Sequence, residues 1–184
     1  MAENAAPVPR KGIVARTIGV ARAHRGATAA IVIALLGLTI FVFAWFEPHK
    51  AFIDKTVAED LPAAAAPGSQ SSVLATGVFR GLDHDASGSA SLVRVDGKLY
   101  VRFEDDFSVL NGPDLLVYLS KHDASSEASR FATGFVSLGE LKGNRGSQNY
   151  AIAANVDPAD YRSVVVWCRR FNVGFAVAPL ESQT

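Results

Sequence analysis

The chain has one cysteine and one methionine in 184 residues. A single thiol excludes an internal disulfide framework and every metal site built on several thiolates. The only methionine is Met1, so a copper centre in the later part of the chain lacks the usual axial methionine. A surplus of one charge is also missing: 18 Lys and Arg balance 18 Asp and Glu, for a formal net charge of +0. Without a basic excess the chain carries no electrostatic footprint for nucleic acid. No G-x-S-x-G, H-E-x-x-H, phosphate-cradling P-loop or C-x-x-C-H haem attachment motif occurs, which removes the common hydrolase and covalent-haem signatures. Apolar residues are not scarce. At 49% of the chain they are enough to bury a core, which argues against disorder throughout.

The neutral total conceals a sorted chain. Residues 1–26 hold Arg10, Lys11, Arg16, Arg22 and Arg25 against Glu3, a surplus of four positive charges. Residues 27–46 carry no charge, and about twenty residues at 1.5 Å each span roughly 30 Å, the hydrocarbon thickness of a bilayer. In lipid the backbone must pair within the segment, so a helix is expected over 27–46, with Trp45 and Phe46 at the interface. A core helix would carry a polar stripe, which this run lacks. A cleaved leader would have a shorter apolar region ending in small residues, whereas this one ends Trp45-Phe46-Glu47-Pro48. The expectation is an uncleaved single-pass anchor in the cytoplasmic membrane. The upstream basic cluster holds the N-terminus inside, and the rest of the chain is extracytoplasmic. Ile13, Val14 and Ile18 recur at helical spacing, but the tail is read as setting topology.

Residues 47–72 shift to Ala, Pro and Ser and read as a spacer, with Phe52, Ile53 and Val57 extending the helix or resting on the membrane. From residue 73 the pattern becomes short β-rich runs with turns between them. Ser89–Val95 and Lys98–Phe103 flank Asp96-Gly97, a strong hairpin signal. Further strands are expected at 77–80, 115–120, 134–138, 149–153, 163–169 and 173–178. Asp157 and Pro158 suit the cap and first position of one helical turn. With no long amphipathic helix after residue 73, residues 73–184 are expected to form an all-β module, an antiparallel sandwich or barrel.

Few residues in the module offer chemistry. Cys168 lies in Val164-Val-Val-Trp-Cys168-Arg-Arg, where a period of two puts Val164, Val166 and Cys168 on one face and Val165 and Trp167 on the other. Two readings stand side by side. The adjacent Arg169-Arg170 pair favours a reactive thiolate, and the apolar surroundings favour a small buried hydrophobe. His84, in Asp83-His84-Asp85, is a candidate second ligand or proton partner, and His122 is the module's other imidazole. Neighbouring residues on a strand point apart, so Asp-His-Asp alone does not make a metal site, and none is assigned. A noncovalent haem or copper held by His84 and Cys168 together stays open. Glu104-Asp105-Asp106 reads as a solvated strand end rather than a catalytic carboxylate pair.

Taken in order, Gly77-Val-Phe79, His84 with Ser87-Gly88, and Asn111-Gly112-Pro113-Asp114-Leu-Leu-Val-Tyr-Leu-Ser120 resemble the DM-thirteen (DM13) domain family. So do Leu138–Tyr150, which holds Gly143, Gly146, Gln148 and Asn149, and Tyr161–Val173 with Trp167-Cys168, ending in Ala178-Pro-Leu180. The resemblance covers about residues 75–181. It implies an extracytoplasmic module for redox chemistry or electron transfer, acting through the characteristic cysteine, here Cys168, or through a bound group such as haem. On that reading Asn111, Asp114 and Gly143–Tyr150 shape the site. Its partners are the lipid bilayer and a redox protein of the envelope, not nucleic acid. The competing expectation is a noncatalytic binding or envelope-organising module in which Cys168 is core.

Overall fold

A computed structural model describes residues 25–46, 53–62 and 71–182. Ile13, Val14 and Ile18, with the basic tail as far as residue 24, lie outside the described residues, as do 47–52, with Phe52, and the stretch 63–70. The chain divides into two units, 1–46 and 47–184.

In the first unit, helix α1 runs Arg25–Phe46, 22 residues. At 1.5 Å per residue it is about 33 Å long, and an 18-residue stretch within it has a mean hydropathy of 2.6, so it is long and apolar enough to cross a membrane. Its one interior hydroxyl of note, Thr39, donates to the Leu35 carbonyl at 2.9 Å and so leaves no unpaired donor. Ile31, Leu35, Leu36 and Phe43 are all exposed. A soluble helix buries one stripe; this one is apolar all round.

In the second unit the described residues form two five-stranded antiparallel sheets packed face to face. The strands of the first are β1 (Ser71–Val78), β4 (Ser89–Val95), β5 (Lys98–Phe103), β9 (Gln148–Ala151) and β12 (Glu181–Ser182), in the order β12-β1-β4-β5-β9. Those of the second are β2 (Arg80–Gly81), β7 (Leu115–Ser120), β8 (Phe135–Glu140), β10 (Ser163–Cys168) and β11 (Val173–Pro179), in the order β2-β11-β10-β7-β8. A two-residue pair, β3 (Ala86–Ser87) with β6 (Ser108–Val109), stands apart. The module is therefore a sandwich, and the sheets do not close into a barrel.

The inner faces share one core. Ala90, Leu92, Val101 and Phe103 of the first sheet meet Val117, Leu119, Val164, Val166 and Ala176 of the second. Phe103 centres an aromatic group, with ring centroids 4.9 Å from Phe79, 4.5 Å from Phe107 and 5.2 Å from Tyr150. The second sheet is covered outside as well, where Phe131 of the 3-10 turn Ala128–Ala132 packs with Leu116, Tyr118, Val165, Trp167 and Val177. That cover explains why every residue of β7 and β10 is buried. Such strands read as continuous apolar runs rather than alternating ones.

The local signals act as their chemistry requires. Asp96 and Gly97 both take positive φ, 48° and 78°, between Val95 and Lys98, which pair across the turn. This is the two-residue hairpin whose twist matches the strands it joins. The Asp157 carboxylate accepts from the Ala159 N–H, with Pro158 opening the 3-10 turn Pro158–Asp160. Ile53 and Val57 do not extend the helix. They lie in an extended segment, 53–60, that is hydrogen-bonded to the module. Strand β1 begins at Ser71, inside the stretch read as spacer.

Phe103 is completely buried. Replacing it with Ala is expected to lower stability by about 3–5 kcal/mol, seen as a reduced midpoint in urea with the slope unchanged.

Candidate functional site

The side chain that organises the 142–150 region is Gln148, an amide with no exposed surface. Its Nε2 donates to the Gly143 carbonyl at 2.8 Å and to the Gly146 carbonyl at 3.3 Å. Its Oε1 accepts from the Gly143 N–H at 3.1 Å and from the Tyr150 hydroxyl at 2.6 Å. Both donors and both acceptor positions are used, so the buried amide is compensated and the loop 143–147 is wound around it. The Tyr150 hydroxyl in turn accepts from the Lys142 N–H at 3.1 Å. Burial pushes the Tyr150 phenol well above its ordinary value, so it stays a neutral donor.

Against the outside of this loop lies the segment 53–60. Thr56 and Arg145 form a parallel bridge: the Arg145 N–H donates to the Lys55 carbonyl at 3.3 Å, and the Val57 N–H donates to the Arg145 carbonyl at 2.9 Å. One step further, the Glu59 N–H donates to the Ser147 carbonyl at 2.9 Å. The segment thus forms a single parallel bridge to the stretch just before β9, at one edge of the first sheet, and occupies hydrogen-bonding groups there that would otherwise be free. Gly143 and Gly146 make the approach possible. A Cβ on Gly143 would strike the Lys55 carbonyl oxygen and Val57 Cγ2, and one on Gly146 would strike the Val57 carbonyl oxygen.

Two carboxylates fasten the segment. Asp54 Oδ1 accepts from Asn111 Nδ2 and Asn144 Nδ2, each at 2.9 Å, and Oδ2 pairs with Arg145 at 3.1 Å. Glu59 receives the Lys142 ammonium at 2.8 Å and the Asn149 N–H at 2.8 Å. Arg102 and the Ser147 hydroxyl both donate to the Glu59 carbonyl at 3.1 Å, and Asn149 Nδ2 donates to the Asp60 carbonyl at 2.8 Å. For Glu59, desolvation opposes ionisation, but hydrogen bonds from Lys142 and Asn149 outweigh it and hold the carboxyl below its ordinary value.

Two clefts flank the segment. One, of about 500 Å³, is lined by Ile53 and Lys55, by Asn111, Gly112, Pro113, Asp114 and Leu115, by Glu140 to Asn144, and by Arg169 and Arg170. The other, of about 590 Å³, is lined by Asp54, Asp85, Ser87, Asn111, Asn144 and Arg145 among others. Asn111-Gly112-Pro113-Asp114 and Gly143-Asn144, far apart in the chain, therefore meet on one cleft.

Cys168 has no exposed surface and lies in the inter-sheet core, with Leu115 and Val173 as its partners on β7 and β11. Trp167 points the other way, into the outer cluster. Arg169 is engaged elsewhere: its Nε and Nη2 grip the Asp114 carboxylate at 3.0 and 3.1 Å. His84 lies with its ring 3.8 Å, centroid to centroid, from that of Phe175. Gly88, at φ 96°, supplies a carbonyl that accepts the Phe79 N–H at 2.8 Å. Glu104 and Asp106 do not face each other as a catalytic pair. The first takes Ser91 and Arg102, the second takes Ser89.

Haem or copper held jointly by His84 and Cys168 does not fit this arrangement. Cys168 Sγ is enclosed by core side chains, and neither residue lines either cleft. Among the described residues no three His, Cys, Asp or Glu side chains gather to hold a metal ion.

Sequence reasoning named Asn111 and Asn149, which donate to the segment's carboxylates, and Gly143 and Gly146, which its backbone approaches, together with Gln148, which holds the loop, but missed the segment itself with Asp54 and Glu59. The available signal was compositional. Asp54-Lys55-Thr56-Val57-Ala58-Glu59-Asp60 is charged and β-tolerant, unlike the Ala/Pro run after Leu61.

The family model described as electron transfer DM13 matches residues 78–180. No curated protein matches the chain, and no solved structure does. Residues 25–46 and 53–62 lie outside the matched stretch.

Two outcomes are expected. Gly143→Ala keeps an ordinary φ but collides with the docked segment, so hydrogen exchange at Val57 and Glu59 should speed up by about tenfold or more, roughly 1.4 kcal/mol of lost protection. The Glu59 carboxyl is depressed in the folded state, so its stabilisation is complete above the unfolded value near 4.5 and is lost as pH falls through the folded one. The Asn149 amide should therefore lose protection on acidification below about pH 4.5, and Glu59→Gln should flatten that dependence.

Proposed function

The chain belongs to the electron transfer DM13 family, and from that premise we propose that it is a single-pass membrane protein whose extracytoplasmic β-sandwich takes part in a redox process. The carrying observation is that the family match, 78–180, takes in both the Asn111–Leu115 and the Glu140–Asn144 walls of one cleft. The redox-capable group the chain itself supplies is the Cys168 thiol. Its cross-strand partner, Leu115, is one of the residues that line the cleft. In this reading an envelope redox partner docks over the cleft, and the Arg169–Asp114 pair fixes the rim at that end.

Membrane anchoring rests on the apolar helix Arg25–Phe46, and inward placement of the N-terminus rests on Arg10, Lys11, Arg16, Arg22 and Arg25 upstream of the uncharged run. Protease added outside spheroplasts should digest the C-terminal module and leave the N-terminal tail protected. Survival of the module would overturn the topology.

One observation favours a second reading. Cys168 is fully buried, as expected of a structural cysteine in a noncatalytic binding or envelope-organising module. Thiol labelling of the folded protein separates the two readings. A working thiol reacts at neutral pH without denaturant. A structural one labels only at the rate of unfolding, and the Cys168→Ser variant retains all binding functions.

A further inference from the structure

Every side chain that grips the 53–60 segment belongs to the region the family model matches, while both carboxylates they grip come from outside it. The matched domain thus carries an edge with two anion seats. The first is built from Asn111, Asn144 and Arg145; the second from Lys142 and the Asn149 main chain. Between them the backbone at 145–147 presents the alternating donor and acceptor groups of a parallel ladder. We infer that this edge is a strand-accepting site for an extended peptide bearing carboxylates five residues apart, and that residues 54–59 are a resident copy of that ligand.

The geometry defines the ligand. It lies parallel to 145–147, because the hydrogen-bond pattern around Arg145 is that of a parallel bridge. It needs an acid at the Asp54 position, where two amide groups and a guanidinium converge, and a second at the Glu59 position, where an ammonium and a main-chain N–H converge. Between them it has a short side chain at the Val57 position, since Val57 Cγ2 packs against Gly143, 2.6 Å from where a Cβ there would stand. Main-chain bonds supply affinity and the spaced acids supply selectivity, as in other strand-addition complexes. The partner is accordingly a protein with an extended Asp-x-x-x-x-Glu segment. The resident segment competes with it at the high effective concentration that covalent attachment provides.

The probe is a synthetic peptide spanning residues 52–61, titrated into detergent-solubilised full-length protein and read by fluorescence anisotropy. In a chain carrying Asp54→Asn and Glu59→Gln, whose seats have lost their resident acids, the peptide is expected to bind about tenfold or more tightly than in wild type. A peptide with Asn and Gln at the same two positions is expected to bind neither chain, and Lys142→Gln on the protein should weaken binding of the acidic peptide. The wild-type titration to millimolar peptide stands by itself if the double variant fails to fold. Acid-dependent, saturable binding there supports the site. Absence of binding to every folded chain tested, the wild type alone included, or equal binding of the acidic and neutral peptides, would overturn it.

Discussion

A buried amide must find all its hydrogen bonds inside the protein, and the end of the module that carries the clefts is arranged around one such group, Gln148. Its four bonds run to Gly143, Gly146 and Tyr150, so the loop 143–147 can take only the course that keeps those partners in reach. An unmade bond there costs about 1–3 kcal/mol for each stranded group. That course turns the outer backbone of Arg145 and Ser147 away from the core, where the 53–60 segment pairs with it. It also carries Asn144 to Asp54 and to the Val109 carbonyl. The docked segment and the Asn144 side of both clefts follow from where the loop is held.

The architecture was legible where residues repeat with a period. Lys98–Phe103 alternates because one face of β5 is wetter than the other, and the Asp96-Gly97 turn announces itself because so few residue pairs accept positive φ at both positions. The split between Val164, Val166 and Cys168 on one face and Val165 and Trp167 on the other also follows from strand geometry alone. Strands β3 and β6, of two residues each, are too short to show any period. The docked segment was hidden for a different reason. Its bonds are long-range, and those made by its own backbone leave no trace in side-chain pattern. The motif glycines were visible, yet their purpose, admitting Lys55 and Val57 to close range, needs the partner to be seen.

The second sheet separates two kinds of environment across one strand. Cys168 faces the inter-sheet core, while Trp167, its neighbour, faces the cluster capped by Phe131. The two residues of the Trp-Cys motif thus experience different surroundings, although one peptide bond joins them. The guanidinium next along the chain is committed to Asp114, which fixes the β10 end to the start of β7 from outside.

The pairing of residues 54–59 with 144–149 also sets an order of events during synthesis. Lys55 and Asn144 are 89 positions apart, and Glu59 and Asn149 are 90. At about 5–20 residues per second, the segment emerges roughly 5–18 s before its seat has been made. For that interval Asp54 and Glu59 have no partners from the loop, and the edge of the first sheet does not yet exist. The segment's docking therefore waits on residues 144–149, and strands β10, β11 and β12 are made later still.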